Sequence, residues 1–368
     1  MRTLFSAVLL TLLAACAGTD RPKPQPLAPN VPVLAVRAVW TAAIGPVDFP
    51  LDVRVVEGRA YLASTAGTVA AIDTQTGADV WRTKLDTPLS AGVGSDGHYT
   101  AVVGRSNELL VLDGAKLAWR QKLKVLTLTA PLVAGGRVFT LSTDRTVSAF
   151  DAASGQRLWQ QQKTADALVL GQSGLLTAVA DTLVVGLGGK LAGLNPLTGA
   201  TRWETAVVNA RGTNEVERLV DVVSGFSREG DQLCVRAFQY GVACVDAITG
   251  RSAWSKPANG SNGVGGDAGM VYGTESDGKL TAWGRKDGEK LWTLERYRFR
   301  SLTAPLVAGR SLIFGDDAGN LHVLSKTDGA PLNRIMTDDS GLFVAPVLAG
   351  KTLLVVSRLG SVYAYRPE

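Results

Sequence analysis

The chain has 368 residues, 38 Lys and Arg against 33 Asp and Glu (formal charge +5), 46% hydrophobic residues and 41 glycines. That is too apolar for a disordered chain and too rich in glycine for a helical one, and it suits an all-β protein with many turns. The basic residues are dispersed, so no polybasic arm or recognition helix marks a nucleic-acid partner.

In chain order, Met1 and Arg2 give a short positive start, and Leu4 to Leu13 form an apolar run too short to span a bilayer. Residues 1–15 therefore read as a signal peptide. Leu13-Ala14-Ala15-Cys16 resembles the bacterial lipobox, whose cysteine is acylated and becomes the first mature residue. By the same resemblance, Ala17 in place of an Asp implies sorting to the outer membrane. Acylation anchors firmly because each buried CH₂ contributes about 0.8 kcal/mol. Prolines at 22, 24, 26, 29 and 32 then rule out helix and sheet. Residues 16–35 are expected to be the lipidated cysteine and an extended, proline-rich tether holding the folded part off the lipid surface.

Residues 36–368 repeat. Tryptophan recurs at 40, 81, 119, 159, 203, 254 and 292, and an eighth site, Asn333, has lost it. Asp73-Thr-Gln-Thr-Gly77-Ala-Asp-Val-Trp81, Asp151 to Trp159, Asn195 to Trp203 and Asp246 to Trp254 share one frame, with Gly four residues before Trp. The unit at Asp113-Gly114 is shortened. Each frame reads as strand, tight turn, strand: the Asp or Asn bonds its own downstream backbone and the Gly supplies a positive φ. Upstream lies a second element, Ala-Pro131-Leu-Val-Ala-Gly135, copied at Pro305 to Gly309 and Pro346 to Gly350. A proline that opens a strand gives up no ladder donor. Four short strands per unit of about 40 residues are the content of a propeller blade. Leu342 to Tyr365 offers three strands without an outer one, and Val36 to Thr41 is an outer strand without predecessors. Joined, they make the eighth blade. The fold is read as an all-β, eight-bladed β-propeller closed by its N- and C-terminal strands.

Catalytic constellations are missing. The two histidines, His98 and His322, fall in different repeats, and no Gly-x-Ser-x-Gly elbow, P-loop or His-Glu-x-x-His occurs. Asp316-Asp317 and Asp338-Asp339 sit in or beside expected turns and read as solvated turn residues. Neither catalytic nor metal-ligating residues are expected. Cys234 and Cys244 lie on consecutive strands about Gln239. A hairpin symmetric about that residue would bring them face to face, and a structural disulfide would suit an oxidising periplasm. The alternative is two small core residues, since an aligned repeat has Phe139 and Ala149 there.

The Gly-x-x-x-Trp pattern resembles the repeats of quinoprotein dehydrogenases, eight-bladed propellers that carry pyrroloquinoline quinone (PQQ). The short loops and the lack of a vicinal cysteine pair restrict that likeness to the fold, so no cofactor is expected. A small periplasmic quinoprotein or a sugar-binding propeller remains the alternative reading. Lipobox, proline-rich segment and eight repeats together resemble the BamB family, propeller lipoproteins of the outer-membrane β-barrel assembly machinery. The stretch Glu215-Val-Glu217-Arg218-Leu219-Val220-Asp221-Val222 is similar to that family's Glu-Ile-Asp-Arg-Leu-Ser-Asp-Val-Asp loop, with Val223 in place of the last Asp. Leu168-Val-Leu170-Gly171 is similar to its Leu-x-Leu-Arg loop, with Gly171 in place of Arg. The resemblance implies a non-catalytic scaffold. Leu168, Leu170, Glu217, Arg218, Leu219 and Asp221 would then dock the periplasmic POTRA domains of BamA, and the propeller edges would offer themselves to unfolded outer-membrane proteins by β-augmentation. An internal ion pair of Arg218 with Glu217 or Asp221 is the plainer role for those charges. Long loops on a rigid scaffold, with apolar anchors among charges, suit protein contact.

Overall fold

The computed structural model describes residues 22–162, 170–208 and 220–368. These form eight four-stranded antiparallel sheets and, among the described residues, no helix. Blades one to seven span 54–84, 89–122, 132–162, 176–206, 227–257, 264–294 and 306–336. The eighth joins Val347–Ala349, Thr352–Val356 and Ser361–Pro367 to the N-terminal strand Val36–Ala43. Its closing register runs from Val36 opposite Pro367 to Ala43 opposite Ser361. The chain is a β-propeller whose ends meet in one blade.

Burial follows strand position. Second and third strands, such as Ala60 to Ala63 and Val69 to Ile72, are fully buried because neighbouring blades cover both faces. Fourth strands, such as Asp79–Lys84, alternate exposed with half-buried positions because one face meets water. The repeat tryptophans stand on those fourth strands. Each faces a third-strand residue, mostly small: Ala71 opposite Trp81, Ala149 opposite Trp159, Gly193 opposite Trp203, Cys244 opposite Trp254. One bulge follows at the same place in every blade, turning the edge strand outward.

The indole then lies on the glycine of the next blade. A Cβ at Gly155 would come within 2.7 Å of Trp119, and one at Gly77 within 2.6 Å of Trp40. The ring nitrogen donates beyond it: Trp119 to the Ala152 carbonyl at 2.8 Å, Trp159 to Pro196 at 3.0 Å, Trp254 to Arg285 at 2.7 Å. So the Gly four residues before Trp serves two ends, a positive-φ turn for its own blade and a floor for the preceding blade's ring.

Two sequence expectations need restating. The proline-rich segment is extended, but from Gln25 on it lies along the propeller instead of standing free. Gln25 N donates to the Arg298 carbonyl at 3.1 Å, Arg334 Nη1 to the Ala28 carbonyl at 3.0 Å, and Val33 N to the Leu332 carbonyl at 2.8 Å. Leu27 packs beside the buried Tyr297 and Leu302. A proline-rich stretch has few donors and leaves its carbonyls without internal partners, and Arg334 of blade seven and Arg300 of the connection before it donate to two of them. Cys16 lies outside the described residues. In blade five Cys234 and Cys244 are register partners with Cα atoms 4.0 Å apart, and the structure joins them by a disulfide.

Candidate docking site

Because successive strands in a blade are antiparallel, the turn between second and third strands and the exit from the fourth strand open on one face of the ring. The two longest blade-to-blade connections on that face are 163–175 and 207–226, and they flank blade four. Both carry expected docking residues. Leu168, Glu217, Arg218 and Leu219 lie outside the described residues, while Leu170 and Asp221 lie within them.

Asp221 ties the two connections together. Its Oδ2 accepts the Leu170 N–H at 3.1 Å, and its Oδ1 is 3.9 Å from Arg145 Nη2. Backbone bonds fix the same stretch: Val222 N donates to Gly188 O at 3.0 Å, Val223 N to Arg236 O at 3.1 Å, and Ser224 N to Ser173 O at 2.8 Å. Short bridges pair Gly174 with Val223 and Val222 with Ala237. Val223 is 3% exposed, so an acid there would lose its water, and the apolar residue fits its setting. Gly171 is exposed, and a Cβ built on it meets nothing within 4 Å.

No motif singles out Arg145, yet the repeat carries its signal. The turn residue before the third strand is Gly67, Gly278, Gly319 or Gly360 in four blades, each with positive φ. Arg145 holds that place with φ +62, a conformation that costs a non-glycine residue roughly 1–3 kcal/mol. Its guanidinium crosses over Gly188, where a Cβ would lie 2.7 Å from Nη2. A long cation in a strained turn, aimed at a carboxylate on a neighbouring connection, is a construction for holding loops in place.

At the ring axis, connections from around the ring, these two included, line a cavity of about 340 Å³ that reaches Ser173 and Ser224. Its wall includes Phe343, 53% exposed with the Arg358 guanidinium 5.2 Å over its ring, and Asp48, 3.6 Å from Arg358. Among the described residues no three His, Cys, Asp or Glu side chains gather to hold a metal.

Asp316 departs from the sequence expectation. Asp317 and Asp339 are exposed turn residues, but Asp316 is fully buried and Asp338 half-buried. Arg300 Nη1 donates to the Asp316 carboxylate at 3.2 Å, Asn320 Nδ2 at 3.0 Å, and His322 Nε2 lies 2.9 Å from it. Donors from three directions make burial of the carboxylate tolerable. Burial drives the His322 imidazole below its ordinary range, against the pull of Asp316. Burial also opposes ionisation of Asp316, but the bonds from His322 and Asn320 hold its carboxyl below the usual value. Arg300 Nη2 also donates to the Gln25 carbonyl at 3.1 Å, so this cluster braces the N-terminal segment. His98, by contrast, is an exposed partner of Asp113 at 3.1 Å.

Residues 65–294 match the family model described as "Outer membrane protein assembly factor BamB". A Burkholderia pseudomallei protein of that name is 37% identical, covering 98% of this chain and 97% of its own. One from Bordetella pertussis is 32% identical, covering 98% and 96%. The crystal structure of BamB from Moraxella catarrhalis superposes with a TM-score of 0.81 at 24% identity, covering 90% of this chain and all of that one. A quinohemoprotein alcohol dehydrogenase from Comamonas testosteroni shares the fold, at TM-score 0.68 and 15% identity over 90% of this chain and 76% of that one. At 37% identity over nearly its whole length, this chain belongs to the family of the outer membrane protein assembly factor BamB.

Proposed function

We propose that this protein is a non-catalytic scaffold subunit of the outer-membrane protein assembly complex. It is held at the outer membrane by a lipid on Cys16, faces the periplasm, and binds the POTRA domains of BamA to assist insertion of β-barrel proteins. The docking surface is the pair of connections around Leu168, Leu170, Glu217, Arg218, Leu219 and Asp221. The single observation that carries the reading is the Asp221 bridge. It gives two long connections one shared shape on a rigid ring, and pre-ordering of that kind lowers the entropy lost on binding. The Cys234–Cys244 bond serves the blade and takes no part in chemistry. Unfolded outer-membrane strands are a further class of partner, reached through exposed blade edges.

The test is affinity purification of the tagged lipoprotein from detergent-solubilised outer membranes, beside Arg218→Ala and Asp221→Ala variants that keep the wild-type melting point. BamA should come down with the wild type and fall away with the variants. If BamA is missing from the wild-type eluate, the scaffold reading is wrong. The competing reading, a quinone-dependent dehydrogenase, rests on fold likeness alone. It predicts calcium-dependent dye reduction after PQQ is added, and none is expected here.

A further inference from the structure

At five seams of the ring an indole lies on the next blade's glycine, with Gly77, Gly155, Gly199, Gly250 and Gly288 beneath Trp40, Trp119, Trp159, Trp203 and Trp254. The seam between blades seven and eight has lost both halves. Asn333 stands where the ring would start, and Val36, four residues before Trp40, stands where the glycine would receive it. Asn333 keeps only the polar part of the arrangement, donating from Nδ2 to the Leu34 carbonyl at 2.8 Å. Val36 lies instead in the closing strand opposite Pro367, and it lines a cavity of about 250 Å³.

The walls of this cavity are apolar: Ile313 and Val323 of blade seven, Leu353 and Tyr365 of blade eight, and Leu34 and Val36 where the chain enters its closing strand. Val323 is the register partner of Asn333, so the space borders the strand pair at which the tryptophan is missing. The rim is cationic. Arg310 and Lys351 occupy the turns between first and second strands of the two blades, both are exposed, and among the described residues neither has an ion-pair partner. Arg366, a third cation in the lining, is engaged with Thr352 Oγ1 at 2.9 Å and the Gln75 carbonyl at 3.2 Å. Glu368, two residues on, is exposed and outside the lining.

We propose that this seam is a binding site for an apolar anion, an aromatic or branched aliphatic group close to a carboxylate. The apolar group fills the space between the two blades, and the carboxylate meets Arg310 and Lys351. Apolar walls of this kind gain dispersion contacts and release water when a hydrocarbon group covers them. One exposed cation attracts an anion weakly, but two beside a low-dielectric wall fix its orientation. The ligand can be a free acid or the last residue of a peptide, because both present the same chemistry. The site is remote from the Asp221 bridge in the chain and does not depend on the docking reading.

The test is titration of the full lipoprotein in detergent with 3-phenylpropionate, 3-phenylpropan-1-ol and 2-phenylethylamine, followed by calorimetry and saturation-transfer NMR. The acid should bind with Kd on the order of 1 mM or tighter, as expected for a ligand of this size, and about tenfold more tightly than the alcohol or amine. The charge reversal Arg310→Glu with Lys351→Glu touches only exposed residues. It should remove the preference for the acid while leaving the alcohol's weak binding in place. Leu353→Trp, verified as folded by its melting transition, should abolish binding of all three. A tetrapeptide ending in free phenylalanine, compared with its amide, separates the sources: preference for the free acid form equal to that of phenylpropionate assigns chain ends, and no peptide binding assigns the small acid. Equal binding of acid, alcohol and amine, or no binding of the acid at 10-fold above the expected Kd, overturns the proposal.

Discussion

Arg145 of blade three and Asp221 of the connection after blade four come within 3.9 Å of one another, and the same carboxylate accepts the Leu170 N–H at 3.1 Å. One side chain thus connects a hairpin turn and two inter-blade connections, which makes the proposed docking surface depend on three segments instead of one motif.

Asp221→Asn keeps the shape but weakens both bonds, and Arg145→Gly removes the cation while relieving its positive φ. A partly exposed charged bond of this kind contributes about 0.5–1.5 kcal/mol. Each variant should therefore weaken BamA binding by roughly three- to tenfold, measured by calorimetry with the periplasmic part of BamA. Arg145→Gly should cost little melting temperature, because strain relief offsets the lost contact. Unchanged affinity in both variants would mean the loops keep their shape without this bridge.

Gly171→Arg restores a guanidinium at the place where the resembling family's loop has one. Nothing lies within 4 Å of a Cβ there, and its φ is not in the left-handed region. The melting point should move by no more than about 0.5 kcal/mol equivalent, as for an ordinary surface change. Affinity for BamA should rise, and a drop would place Gly171 at a close approach of the partner's backbone.

Gly155→Ala and Gly135→Ala separate two costs of a positive φ. Both residues are left-handed, at φ +72 and φ +57, but only Gly155 lies beneath an indole, with a Cβ 2.7 Å from Trp119, whereas nothing is within 4 Å of Gly135. Gly135→Ala should lose about 1 kcal/mol, the conformational cost alone. Gly155→Ala should lose about 2–4 kcal/mol, since the ring must also shift. Denaturant unfolding measures both. Equal losses would show that the seam yields to the added methyl.

His322 makes stability depend on pH. Burial holds its folded pKa below the ordinary 6.5, so the unfolded chain takes up a proton first as pH falls. Stability from this group is full above about pH 6.5 and declines as pH drops below it, because protonation favours the unfolded state. Asp316 adds a separate loss at lower pH, since its folded pKa lies below the ordinary 3.8 and its stabilisation disappears as pH falls through that range. In melting scans from pH 7.5 to 3, His322→Gln should flatten the slope between pH 7 and 5 and reduce, without removing, the loss below pH 4, because the Asn320 bonds to Asp316 remain. A slope identical to wild type would remove His322 from the acid response.

The sequence by itself determined the architecture. Blade count and the turn glycine four residues before most tryptophans are local patterns repeated along the chain, ring closure follows from the incomplete units at its two ends, and repetition makes a weak local signal legible. The two connections were also marked by length and by their motif residues. What Asp221 bonds to was decided only in three dimensions. Arg145 is 76 positions away in the chain, and its one sequence mark is the absence of a glycine where other blades have one. Asp316 read as a wet turn residue because a turn motif says nothing of the arginine and histidine that cover it. The proline-rich segment read as free because composition forbids strands but does not reveal the Arg298 and Leu332 carbonyls that accept its N–H groups, or the Arg334 guanidinium that donates to its Ala28 carbonyl, across the fold. Repeats report what neighbours in sequence do; burial, ion pairs and seam cavities depend on which distant segments the closed ring brings together.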